Sequence, residues 1–194
     1  MPALKVRRSP YRIPKTEEMT PYIKDVPVRI YDLIQDFHIT LTFAEMDEGQ
    51  SSAVAAKNKR FTIIVNQDLA EGPRRYAAAY ELARLLLNRQ VIIDHDGRLP
   101  SRLYAQPDNG GRNKVDHEAA KLGASLLLPA AGIRRFHEAG IGPEEIGAAY
   151  LATAASVKVR MRQLSLPVKE GPPRKPRRST PVPSDDPAAD GPQI

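Results

Sequence analysis

The segment Tyr76-Ala-Ala-Ala-Tyr80-Glu81-Leu-Ala-Arg84-Leu-Leu-Leu-Asn88 has the spacing of a zinc-binding helix without its donors. In an H-E-x-x-H helix the two histidines lie one turn apart on the same face. Both imidazoles then reach one metal, and the glutamate between them polarises the bound water. Here Glu81 keeps the place of the catalytic glutamate, but Tyr80 and Arg84 stand in the ligand positions. A guanidinium is permanently charged and has no lone pair to give a cation. Zinc is therefore not expected on this helix in the usual way.

The flanking residues carry a resemblance. Pro73-Arg-Arg-Tyr76 and Leu85-Leu-Leu-Asn88 resemble the "RRFTLAHELGHLLLH" block of the ImmA/IrrE family of metallopeptidases. Pro27-Val-Arg-Ile-Tyr-Asp-Leu-Ile34 is similar to that family's opening helix, and Phe61-Thr-Ile-Ile-Val-Asn66 to the strand before its active helix. Asp116-His-Glu-Ala-Ala-Lys-Leu-Gly-Ala-Ser-Leu-Leu-Leu-Pro129 resembles "ExxANxFAAxLLMP", and Ala155-Ser-Val-Lys-Val-Arg160-Met-Arg-Gln-Leu-Ser-Leu166 resembles "VSxxAxxxRLxxLGL". The blocks run in order from about Thr20 to Leu166.

The resemblance implies an α+β, zincin-like minimal peptidase domain, with a small three-stranded sheet packed against about six helices. It also implies that Asp116 stands where the family's third zinc ligand, an acid one methylene longer, completes the site. The vestigial metal positions are then Tyr80, Arg84 and Asp116, with no metal or other cofactor expected, and Glu81 is catalytic only if activity survives. Arg84 is expected to take the structural place of the metal, tying its helix to that of Asp116, with Tyr80 adding a hydroxyl to the network. Family members act on, or sit beside, helix-turn-helix repressors in mobile elements and stress responses. The implied partner is a protein of that kind, and the implied setting a phage or mobile element.

Composition bounds these readings. The chain has 194 residues, 41% of them hydrophobic, enough for one well-cored domain with tails. Its longest apolar runs are far too short to span a membrane. The first residues, Met1 to Arg8, are basic but lack the apolar stretch of a secretory signal. Zero cysteines exclude disulfides and thiolate metal sites, which suits a cytoplasmic location. A net charge of +6 keeps nucleic acid or an acidic protein open as partners.

The ends read as disordered tails. Residues 1–19 are basic and punctuated by proline, and residues 167–194 carry eight prolines with almost no large apolar side chains, too few to offset ordering entropy by burial. Arg7-Arg8 and Arg174-Lys175-Pro-Arg-Arg178 are candidate phosphate contacts within them. The domain between spans 20–166.

Within it, apolar residues at Val26, Ile30, Leu33, Ile34 and Phe37 make a helical stripe. Ile39–Phe43 alternates as a strand, Ser52–Ala56 is a weaker strand, and Arg60–Asn66 a clear one. The central helix starts near Pro73, with Tyr76, Ala79, Leu82 and Leu86 on its buried face. Residues 90–112 form a long connection, in which Asp94-His95-Asp96-Gly97 is an ordinary turn rather than a metal site. His38 and His137 read as surface or packing residues. Four helices follow: Lys114–Leu128, stopped by Pro129, then Ala130–Ala139, Glu144–Tyr150 and Ser156–Leu164. The last two have a helix-turn-helix outline. Ser156 would cap a second helix whose Lys158, Arg160 and Arg162 could enter a major groove; alternatively Val157, Met161 and Leu164 face inward and close the domain.

Three functions stay open on the sequence: a non-catalytic, pseudoenzyme-like regulatory or protein-interaction module of the ImmA/IrrE type; a nucleic-acid-binding regulator using the C-terminal basic helix; and a residual metallopeptidase with a metal relocated to Glu81, Asp116 and His117.

Overall fold

A computed structural model describes residues 14–57, 60–94 and 114–168. Helices α1 (Thr16–Ile23) and α2 (Ile30–Asp36) lead into strands β1 (Thr40–Ala44), β2 (Ser52–Lys57) and β3 (Arg60–Asn66). The long α3 (Glu71–Asp94) follows, and then α4 (Lys114–Leu127), α5 (Ala130–Glu138), α6 (Pro143–Tyr150) and α7 (Ala154–Gln163). The architecture is α+β, as the sequence leads one to expect.

The sheet runs β1-β3-β2, with β1 parallel and β2 antiparallel to the central β3. In β3 the alternation is clean: Phe61, Ile63 and Val65 are buried while Thr62 and Ile64 are half-covered. The period of two thus sends one set of side chains toward the helices. Val54 and Ala56 of β2 join the same core layer, on which α3 packs.

Small residues set how closely the central helices approach. Ala78, Ala79 and Ala83 of α3 are wholly buried among Leu82 and Leu85. On α4, Gly123 lies so near that an added Cβ would sit 3.0 Å from Cα and 3.1 Å from the amide nitrogen of Tyr80. Glycine here lets two helix backbones meet beside Tyr80, and that contact positions the site. A similar fit occurs in the C-terminal part, where a Cβ on Gly132 would fall 1.9 Å from the Tyr150 hydroxyl.

Several expectations need correction. Residues 16–19, placed in the N-terminal tail, begin α1, and Met19 is buried in the core. The stripe from Val26 to Phe37 is helical only from Ile30, because a cis Val26–Pro27 bond and Arg29 precede the helix and leave Val26 exposed. The central helix does not end before residue 90. Backbone geometry breaks at Asn88, and helical structure resumes to Asp94 with Ile92 fully buried. Tyr76, assigned to the buried face, is 40% exposed. Thr153, not Ser156, is the N-cap of α7, accepting the Ser156 amide hydrogen on its Oγ at 3.1 Å. The Leu166 and Val168 side chains pack on the core, so the domain runs slightly past its expected C-terminal edge. The expectations for residues 1–13, 95–113 and 169–194 lie outside the described residues.

A candidate cleft with a buried ion pair in place of metal ligands

The wall between α3 and α4 meets the edge strand β2 around a cavity of about 590 Å³. Ser52, Tyr76, Tyr80, Glu81, Arg84 and Asp116 all line it. The helix period explains the first part of this gathering: positions 76, 80 and 84 are one turn apart and share a face of α3. The second part is the α3–α4 contact at Gly123, which brings Asp116 to the same space from the first turn of α4.

Several of the cleft's polar groups pair with one another. Arg84 Nη1 donates to Glu81 Oε2 at 2.9 Å, and the two side chains are only 4% and 1% exposed. Ser52 Oγ donates to the other carboxylate oxygen of Glu81, also at 2.9 Å. The Tyr80 hydroxyl donates to Asp116 Oδ1 at 2.9 Å. The Arg84 guanidinium carbon lies 5.8 Å from the centre of the Tyr80 ring, within cation–π range, and Tyr76 stacks on Tyr80 at 6.5 Å. Burial pushes the Glu81 carboxyl above its ordinary range, opposed by Arg84 and the Ser52 hydroxyl. Burial also raises the Tyr80 phenol, and the hydrogen bond to Asp116 raises it further.

All four expected positions therefore meet in one cleft, with a division of labour the sequence does not show. Arg84 holds Glu81, three residues earlier on its own helix, and the Tyr80 hydroxyl spans to Asp116 on α4. Ser52 was missed, since nothing in a short strand with a single serine marks it as the partner of a glutamate 29 residues on. His117 is exposed and lines the neighbouring groove instead of the cleft, so the set Glu81, Asp116 and His117 does not converge. Among the described residues, no group of three His, Cys, Asp or Glu side chains could hold a metal.

The residues present do not fit zinc. A buried guanidinium fills one ligand position, and a phenol that keeps its proton well into alkaline pH fills the other. Neither supplies the lone pair of a neutral imidazole.

The C-terminal basic residues are largely spent on the fold. Arg160 Nε donates to the Leu128 carbonyl at 3.0 Å, just past the end of α4, and Nη1 donates to Gln163. Burial lowers the pKa of this guanidinium. Lys158 Nζ pairs with Glu144 Oε1 at 3.1 Å, while Arg162 is exposed. Val157 and Met161 face the core.

Residues 34–162 match the family model of the IrrE N-terminal-like domain. That span is most of the chain and runs from the end of α2 into the last turn of α7, and the chain belongs to this family. No curated protein matches it in sequence.

Proposed function

We propose that this chain is a non-catalytic member of its family, a regulatory module that binds protein and has exchanged metal chemistry for an internal ion pair. The observation that carries this reading is the Glu81–Arg84 pair, nearly solvent-free and formed by the residue in the base position and a residue in a ligand position. A glutamate held by a guanidinium and a serine hydroxyl is not placed to polarise a water. The cleft nonetheless holds about 590 Å³, and residues 49–52 lead along its rim into the edge strand β2. An extended partner segment could add to that edge through main-chain hydrogen bonds. The partner class we propose is a protein of the helix-turn-helix repressor type, met in the cytoplasm, in a phage or mobile-element setting.

The internal contacts of Lys158 and Arg160 favour protein over nucleic acid as the partner. A mobility shift that weakens steeply with salt would reverse that preference.

The direct test is elemental analysis after dialysis against zinc, alongside a peptide-hydrolysis assay. The expected result is no stoichiometric metal and no cleavage. About one zinc per chain, lost in Asp116→Ala, would show a surviving metal site. A variant carrying Tyr80→His, Arg84→His and Asp116→Glu restores the family's ligand set and should take up zinc, because Asp116 and the α3 positions already line one cavity.

A further inference from the structure

A second cavity of about 530 Å³ lies against the first, sharing Pro73, Tyr76 and Ala120 with it. Its floor is one face of α4, where His117, Ala120, Lys121, Ala124 and Leu127 recur at steps of three and four. The start of α3, the α6–α7 link and the outer side of α7 form the other walls.

Three features set this groove apart from ordinary surface. Of the six large hydrophobic side chains exposed among the described residues, three line it: Tyr76, Leu151 and Val159, at 40%, 43% and 50% exposure. Isolated exposed apolar residues are common, but three gathered on one concavity mark an interaction surface. Leu151 also ends α6 in the left-handed region, at φ 53° and ψ 44°. Glycine is the usual residue at such a helix end, and a leucine there is strained. The strained residue stands at a position whose side chain borders the groove and keeps two-fifths of its surface exposed. Finally, among the described residues the lining includes Lys121 and no carboxylate, so the groove's charge favours an acidic partner.

We infer that this groove docks an amphipathic helix of a partner protein, one whose apolar stripe is bordered by aspartate or glutamate. Among the described residues every wall is helix or helix link, so recognition falls to side-chain anchors at helical spacing. The apolar stripe covers Leu151, Val159 and Tyr76, while the acidic border meets Lys121. The inference rests on the reading of the chain as a protein-binding module, but it concerns a different surface from the cleft.

The test uses the full chain and two designed helical peptides with the same leucine stripe, one bordered by glutamates and the other by lysines, with binding followed by fluorescence anisotropy. The glutamate peptide should bind saturably and about tenfold or more tighter than the lysine peptide at low salt. Val159→Glu should weaken it at least tenfold, and Lys121→Glu should reverse the preference. Leu151→Gly is the discriminating variant: it relieves the backbone strain, so stability should hold or rise while binding falls. If Leu151 is merely structural, its replacement leaves binding unchanged. Binding of neither peptide, equal binding of both, or indifference to Val159→Glu overturns the proposal. A concentration-dependent dimer that Val159→Glu abolishes in sedimentation overturns it too, assigning the groove to a second copy of the chain. The zinc test stands whatever the peptides do, so the two readings fail separately.

Discussion

The cleft and the groove share a wall yet treat their side chains in opposite ways. In the cleft, charged groups are drawn inside and matched to one another: Arg84 with Glu81, Ser52 with Glu81, and Tyr80 with Asp116. In the groove, apolar side chains are left facing out, and one of them is held on a strained backbone. The buried, paired side chains of the cleft are coupled to folding, so a change there should be read out as lost stability. The exposed Leu151 and Val159 of the groove are less so, and changes there should be read out as lost binding.

The contrast can be broken most directly at Arg84. Arg84→Ala leaves a buried carboxylate with a serine hydroxyl, and should cost about 3–5 kcal/mol in a denaturant titration. Adding Glu81→Ala should recover part of that loss. Strictly additive losses would mean the two are not coupled, and the cleft would lose its distinction from the groove.

Gly123→Ala probes the approach that creates the cleft. The new methyl meets the Tyr80 backbone at 3.0 Å, where no side chain can move aside. A loss of about 1–3 kcal/mol is expected, on the scale of overpacking. An unchanged midpoint of unfolding would show that α3 and α4 part at little cost.

A smaller effect should appear at alkaline pH. Burial pushes Tyr31 up to about 12, and Tyr80 is raised as well. Because the folded values lie above the unfolded value of 10.0, the stability these phenols contribute is complete below that pH. It is lost as pH rises through the folded values. Absorbance titration of the seven tyrosines should show a late-ionising fraction that shrinks in Tyr80→Phe. The smallest effect belongs to the groove, where Val159→Glu should change stability by no more than about 0.5 kcal/mol while weakening partner binding.

Much of the fold was legible where one period dominated. Phe61, Ile63 and Val65 alternate as a half-buried strand should, and Leu82 and Leu85 anchor a helix in both sequence and structure. That Tyr80, Glu81 and Arg84 share a site was legible through their spacing, and Asp116 through the resemblance of its block to the family's. The site's bonding was not. Whether Arg84 turns to Glu81 or across to α4 depends on a few torsions and on a serine brought in by the sheet, and neither leaves a mark on sequence spacing. Tyr76 was misjudged because its helix position is apolar by period, while the neighbouring walls happen to stand apart there. The early start of α1 left no mark for a similar reason: Met19 and Val28 are buried by contacts with the rest of the domain rather than as part of a periodic stripe.

The Glu81–Arg84 pair also bears on descent. Each partner is tolerable in the interior because the other is there, so an exchange of either one alone passes through a protein with a stranded charge in its core. A histidine arriving at position 84 without a metal to hold would gain nothing and would unfasten Glu81. Once such a pair is established, mutation cannot retrace its steps one codon at a time. The pair therefore behaves as a ratchet: whichever partner changes first, the other is left stranded in the core.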